Sequence, residues 1–198
     1  MRKLTLADVR DLVEYERIRA PFRQRIIELK NRRRVSVGDK VSLVFENTET
    51  ALAQVQEMVR AERIVDPSKI QFEIDTYNAL IPEPGELSAT LFIEITSAGD
   101  IRADLDRLIG LDGRDVVAIS LGDAGSVGGL FETGHSNERR ISAVHYVKFR
   151  FTHAQRRAFI ESAGAERPIF IGISHPSYQH RAELAADVIS ALAEDLSS

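Results

Sequence analysis

Two stretches in which apolar residues recur at nearly every second position constrain the fold most. Residues 143–151 place Lys148 and Arg150 on the polar side of such a pattern. Residues 87–95 place five apolar residues on one side: Leu87, Ala89, Leu91, Ile93 and Ile95. Alternation with a period of two residues is typical of a strand that has one face in the core. We expect the two basic residues to form cross-strand ion pairs with Glu94.

Three further segments have the composition of strands. Residues 35–45 alternate around Gly38 and indicate a β-hairpin, and residues 116–121 and 169–173 are short apolar runs. Amphipathic helices are predicted between these strands, without the regular strand–helix–strand repeat that produces a parallel sheet. The sequence therefore predicts an α+β fold with a largely antiparallel, mixed sheet and helices packed mainly on one face.

The order of these segments indicates one domain over residues 1–198. Residues 1–33 are predicted to be helical, with a break or kink near Ala20 because Pro21 removes an interior hydrogen bond. Residues 34–198 are predicted to hold the sheet and its helices. Residues 122–140 contain five glycines without the spacing of a phosphate loop or a dinucleotide loop, and we interpret them as a Gly-rich connecting loop.

Composition and charge exclude several classes of function. The chain has no cysteine, which excludes disulfides, thiol catalysis and cysteine-ligated metal sites. Its formal net charge of −4 gives no drive toward nucleic acid. No apolar run approaches the roughly 20 residues that span a bilayer. The N-terminus lacks the apolar segment of a secretory signal, so we expect no membrane association and a cytoplasmic protein.

One segment is locally basic. Residues 17–34 contain eight basic residues and one acidic residue, Glu28. These charges can simply face water and stabilise the end of a helix. They can also form a docking patch for an anion or an acidic protein. The residues predicted for such a patch are Arg23, Lys30, Arg32, Arg33 and Arg34.

His145 and His175 are the candidate metal ligands. Each continues the apolar face of a predicted strand, so the two imidazoles could converge if the strands are neighbours. With a carboxylate such as Glu46 or Glu94 they could bind zinc or iron, or one could act as a general base. The alternative is that both are core residues bonded to backbone groups. His135, in the Gly-rich loop, is a weaker candidate, and no cofactor is predicted otherwise.

The chain resembles a bacterial family of unknown function. The segments that carry the resemblance include RQRIIELKNRRRVSVGDKVSLVFENTET, DTYNALIPEPGELSATLFIEI, VHYVKFRFTHAQ and ISHPSYQHRAEL. With the opening MRKLTLADVRDLVEYE, they make the chain similar to domain-of-unknown-function family 3501 over nearly its whole length. The family has no established activity or catalytic residues. Its gene neighbourhoods imply an accessory role in redox or peroxide defence, with rubrerythrin-like or iron–sulfur proteins as partners.

We therefore expect a non-enzymatic accessory or binding protein that docks an iron-dependent redox partner. Two alternatives stay open. One is a metal-dependent enzyme that uses His145 and His175, and the other is a structural homodimer.

Overall fold

The computed structural model describes residues 1–95, 101–132, 141–165 and 167–197. These residues form eight strands: β1 Arg34–Val37, β2 Val41–Glu46, β3 Glu86–Ile93, β4 Val117–Ser120, β5 Ser126–Phe131, β6 Val144–Arg150, β7 Phe170–His175 and β8 Tyr178–Glu183. The helices in the same ranges are α1 Leu12–Asn31, α2 Thr48–Ala61, α3 Pro67–Asn78, α4 Ile101–Asp106, α5 His153–Ala165 and α6 Ala186–Ser197. None of these helices has the length and apolar character needed to cross a membrane.

The strands form one antiparallel sheet that curls almost into a barrel. The strand order is β1-β2-β3-β6-β5-β4-β7-β8, and every pairing along this order is antiparallel. The edge strands β1 and β8 meet through Tyr178. Its hydroxyl donates to the Val37 carbonyl at 2.7 Å and accepts from the Lys40 N–H at 2.9 Å. The predicted α+β class and antiparallel sheet are confirmed.

The main core lies inside the curled sheet. The inward residues of the central strands, such as Leu43, Leu91 and Val147, pack in one cluster with Phe159 of α5 and Leu192 of α6, and all five are fully buried. Burying a side chain of this size contributes about 1.5–3 kcal/mol. A second cluster joins α2 and α3 to the N-terminal segment through Leu4, Ala51, Val55, Val59, Ile64, Ile74 and Ile81.

Of the break or kink predicted near Ala20, the break is wrong. The helix α1 continues through Pro21, which is exposed. Proline removes a hydrogen bond to the Arg17 carbonyl, but Arg17 is also exposed, so water can satisfy that carbonyl. Burial of Tyr15 and Ile26 on either side holds the helix in one piece. Helix α1 begins after Asp11, whose carboxylate accepts from the N–H groups of the first turn.

Two strands were not expected from the sequence. Strand β5 lies inside the segment interpreted as a Gly-rich loop, and its glycines serve close packing. A Cβ on Gly128 would collide with the Asp115 carboxylate, and one on Gly129 would lie 2.8 Å from the Val147 side chain. Strand β8 is an edge strand whose residues are mostly exposed, so it has no apolar signature. Residues 133–140, which include His135, lie outside the described residues.

Candidate functional site

A cleft opens on the outer face of the sheet, over β3, β6 and β5. The residues on this side of β6 are Tyr146, Lys148 and Arg150, and the register places Ser88 of β3 opposite Lys148. We call this space the outer-face cleft. Its volume is about 280 Å³, and its lining includes Leu80, Ser88, Leu130, Tyr146, Lys148 and Arg150. Leu80 follows α3, so the helix end forms one wall and β5 forms another.

One buried carboxylate lies beneath the cleft. Glu86 is 6% exposed and accepts a hydrogen bond from Arg150 Nε at 2.6 Å, while Lys148 Nζ lies 3.7 Å from its other oxygen. Burial pushes the pKa of Glu86 upward. The hydrogen bonds from Arg150 and the Glu83 N–H, with the Lys148 charge, outweigh burial and hold this pKa below its usual value. Glu86 is therefore ionised and shared by two cations.

The expected ion pairs of Lys148 and Arg150 with Glu94 are wrong, because the register of β3 and β6 places a different carboxylate beside these cations. Glu86 stands opposite Arg150 in the register of β3 and β6. Glu94 lies past the end of β3 and instead accepts from Arg34 Nη1 at 2.9 Å and from the Ser42 hydroxyl at 2.8 Å. Alternation identified the face of each strand but not which carboxylate lies beside the cations.

The hydroxyl of Ser88 has no hydrogen-bond partner among the described residues. Ser88 is 2% exposed and lines the cleft. The neighbouring outward hydroxyl, on Thr90, donates to the Glu46 carboxylate at 2.6 Å. A hydroxyl that lines a cleft without a protein partner can donate to, or accept from, a bound group.

The phenol of Tyr146 lies at the other end of the cleft. Burial raises its pKa, and the Glu46 and Glu132 carboxylates raise it further. Glu132 also lines the cleft, and its N–H donates to the Tyr146 carbonyl at 3.1 Å. The phenol is therefore protonated at neutral pH. The cleft has a basic end at Lys148 and Arg150 and an acidic end at Glu132.

The two histidines of the predicted metal site are both buried on the inner side of the sheet. His145 Nε2 lies 2.8 Å from the Ser142 carbonyl, and Nδ1 lies 3.9 Å from an Asp112 carboxylate oxygen. His175 Nε2 lies 3.0 Å from the Ile109 carbonyl, and its Nδ1 accepts from the Ser177 N–H. Both ring nitrogens of His175 are therefore engaged, which leaves no lone pair for a metal.

The carboxylates suggested as further ligands are not at these imidazoles. Glu46 bonds Thr90 on the outer face, and Glu94 bonds Arg34. Within the described ranges, no group of three or more His, Cys, Asp or Glu side chains could hold a metal ion. The geometry of the described residues thus favours the core interpretation of His145 and His175.

The five basic residues of the predicted docking patch do not share one surface. Arg33 is 3% exposed and forms a bidentate pair with Asp195 of α6, with an Nη1–Oδ2 distance of 2.6 Å. Arg34 is paired with Glu94. The other three, Arg23, Lys30 and Arg32, form no ion pair within the described part of the chain. Arg33 belongs to the interior, so any external anion would meet only the remaining members.

The near-barrel antiparallel sheet and its helices define an α+β class of protein. The model of the family described as "Protein of unknown function (DUF3501)" matches residues 3–196, so the chain belongs to this family. A crystal structure of a novel protein of unknown function from Burkholderia pseudomallei K96243 is similar, with 33% sequence identity and a TM-score of 0.88. The match covers 98% of this chain and 100% of that chain. A search of the curated proteins found no match.

Proposed function

We propose that this protein is a non-catalytic binding protein that holds a small molecule in the outer-face cleft. The observation that carries the proposal is the hydroxyl of Ser88, which lines the cleft and has no hydrogen-bond partner among the described residues. A ligand atom at this position can bond the hydroxyl in place of solvent, which supports a binding role for the cleft.

The chemistry of the cleft supports binding over catalysis. A serine nucleophile needs a base within hydrogen-bond reach. Ser88 forms no hydrogen bond to a base among the described residues. Its cross-strand neighbours are Lys148 on β6 and Glu46 on β2, and the Glu46 carboxylate accepts from Thr90 instead. Burial and nearby carboxylates keep Tyr146 protonated, so it is not a base either. These groups can orient a ligand but do not form an activated nucleophile.

Protein-observed NMR tests the proposal. The probes are four small phenyl compounds: benzoate, phenyl phosphate, benzamide and benzylamine. At least one should shift the amide signals of β3 and β6. Ala79→Trp should abolish these shifts, because Ala79 is exposed at the rim of the cleft and a large ring there would fill it. Ala20→Trp, at an exposed alanine of α1, is the matched control and should bind normally. Shifts that survive Ala79→Trp would refute the site.

We also propose a second function, the docking of a redox partner through α1. The proposal rests on the exposed Arg17, Arg23 and Arg32, which form no ion pair in the described ranges, and on the gene neighbourhoods of the family. This second proposal includes an accessory role in redox or peroxide defence and a cytoplasmic location. The partner would be a rubrerythrin-like or iron–sulfur protein with an acidic surface.

A binding assay with a purified rubrerythrin-like protein from the same genome tests this second function. Arg23→Glu with Arg32→Glu should weaken binding at least about tenfold, and raising the salt from about 50 to about 300 mM should weaken wild-type binding because exposed charges are screened. Arg157→Glu, at an exposed arginine of α5, is the control. Binding that is insensitive to both the salt and the double substitution would refute docking. The structural homodimer remains a further alternative, which sedimentation velocity distinguishes from a monomer.

A further inference from the structure

We propose that the ligand of the outer-face cleft is a small organic anion whose carboxylate or phosphate group is bound by Lys148, Arg150 and Ser88. This inference rests on the proposed binding function and adds the chemical class of the ligand. Three features of the outer-face cleft support it: the hydrogen-bond donors without a protein partner at the basic end, the net charge at that end, and the apolar walls.

The basic end has more hydrogen-bond donors than the protein satisfies. Arg150 uses Nε on Glu86, and its two terminal nitrogens have no partner among the described residues. The contact of Lys148 Nζ with Glu86 is 3.7 Å long, which is beyond hydrogen-bond distance. The hydroxyl of Ser88 lies opposite Lys148 in the strand register and is also open. Three kinds of donor therefore face the same end of the cleft, which is the arrangement that binds an oxyanion.

The net charge at this end selects for anions of low charge. Lys148 and Arg150 share the carboxylate of Glu86, so these three residues together carry one positive charge. The second carboxylate on this face, Glu46, stands opposite Ser88 and accepts hydrogen bonds from Thr90 and Gln54. Tyr146 adds no charge while it is protonated. A polyanion such as nucleic acid does not fit this distribution, whereas a ligand with one carboxylate or phosphate does.

The remaining walls are apolar and limit the size of the ligand. Leu80 is buried beside the cleft, and Leu130 is 39% exposed on the opposite side. A volume of about 280 Å³ lies just below the usual range of sites for drug-sized ligands, roughly 300–1,000 Å³. The ligand therefore combines one oxyanion with a short apolar body, which would pack between the two leucines.

Calorimetric titration at constant ionic strength tests the class of ligand. Benzoate and phenyl phosphate carry the two oxyanions on the same ring, benzamide is the neutral counterpart of benzoate, and benzylamine is the cation. We expect the better anion to bind at least about tenfold more tightly than benzamide, which is a difference of about 1.4 kcal/mol. Benzylamine should bind more weakly than benzamide. Tighter binding of phenyl phosphate than of benzoate indicates a phosphate ligand, and the reverse order indicates a carboxylate.

Substitutions at the basic end separate this inference from the proposed function. Lys148→Met should remove most of the preference for anions over benzamide, whereas Lys148→Arg should retain the preference. Ser88→Ala should weaken the binding of both benzoate and phenyl phosphate. Lys69→Met, at an exposed lysine of α3, is the control and should bind like wild type. Each variant is first checked for a wild-type thermal unfolding profile.

The two ways of failing are distinguishable. If benzamide binds in the cleft as tightly as the anions, or if Lys148→Met keeps the anion preference, the inference is overturned while the binding function stands. If none of the four compounds binds in the cleft, the inference and the proposed function are both overturned.

Discussion

Substituting either member of the ion pair between Arg33 and Asp195 should destabilise the protein. The loss of stability should depend on pH in a different way for each of the two substitutions. Both side chains are nearly buried, at 3% and 9% exposure, and they join the start of β1 to α6 across 162 residues of sequence. Removing one partner of a buried pair leaves an uncompensated charge, which costs about 3–5 kcal/mol. We therefore expect Arg33→Met to lower the free energy of unfolding by about that amount at pH 7.

Asp195 titrates within the range where the protein can be studied. Burial raises its pKa to about 6, despite the opposing effect of the Arg33 charge and hydrogen bonds. The pKa of an unfolded aspartate is about 3.9, so between about pH 4 and 6 the folded state binds more protons than the unfolded state. Protonation of Asp195 therefore stabilises the folded wild-type protein. This contribution to the free energy of unfolding is fully present below about pH 4 and is lost as the pH rises to 6, at about 1.4 kcal/mol per pH unit.

The two single variants should respond to pH in opposite directions. In Arg33→Met the pKa of Asp195 rises further, so between pH 7 and pH 6 the folded variant holds nearly a full proton on Asp195 while wild type is at most about half protonated. The deficit of the variant should therefore shrink by up to about 1 kcal/mol over that unit. In Asp195→Asn the buried Arg33 has lost its carboxylate partner, and the gain that wild type makes below pH 6 is missing. Its deficit should therefore grow as the pH falls from 6 to 4.

Urea unfolding followed by circular dichroism at pH 7, 6 and 5 measures these differences. Arg25→Met is the matched control, because its pair with Glu49 is exposed and should contribute less than about 1 kcal/mol. The double variant Arg33→Met with Asp195→Leu should recover much of the lost stability. A loss below about 1 kcal/mol in Arg33→Met, or identical pH profiles for the two single variants, would refute the buried-pair interpretation.

Three further predictions concern the closure of the sheet and the histidines. Tyr178→Phe should lower the free energy of unfolding by about 1–3 kcal/mol for each backbone group it orphans, measured by urea unfolding, because Val37 and Lys40 lose their shared partner; an unchanged stability would contradict this closure. Gly38→Ala should destabilise by more than about 1 kcal/mol, because Gly38 has φ +75° and an added Cβ would meet the Tyr178 hydroxyl and the His180 ring; a wild-type melting temperature would be the opposing result. Protein purified without an affinity tag should contain far less than one zinc or iron per chain by elemental analysis, whereas stoichiometric metal that is lost in His175→Ala would restore the metal-enzyme alternative.

The alternating segments predicted the faces of β3 and β6 because period two is a local property of a strand. Leu91 and Val147 were correctly assigned to the core by this pattern. The partner of each cation was not predictable, since strand register depends on turns and packing far along the chain. The same limit applies to β5, where glycines that look like loop residues are required by the close approach of Asp115 and Val147.

The basic segment shows that a run of charged residues in the sequence does not establish a charged surface patch. A run of arginines suggested a surface patch, but Arg33 points inward because its carboxylate partner lies on α6, far away in the sequence. The cleft carried a weak signal that sequence reasoning did not use. Glu86, Ser88 and Thr90 are polar residues on the outward side of a strand that lies in the interior of the sheet, and all three are buried. A polar face that is covered in this way is a reason to look for a bound polar ligand.

The most direct test of the binding site is a crystal structure of the protein soaked with phenyl phosphate. We expect phenyl phosphate in the outer-face cleft, with phosphate oxygens within hydrogen-bond distance of Lys148 Nζ and Ser88 Oγ and the ring between Leu80 and Leu130. Phenyl phosphate bound only at other surfaces, or a cleft occupied with the phosphate pointing toward Glu132, would contradict it.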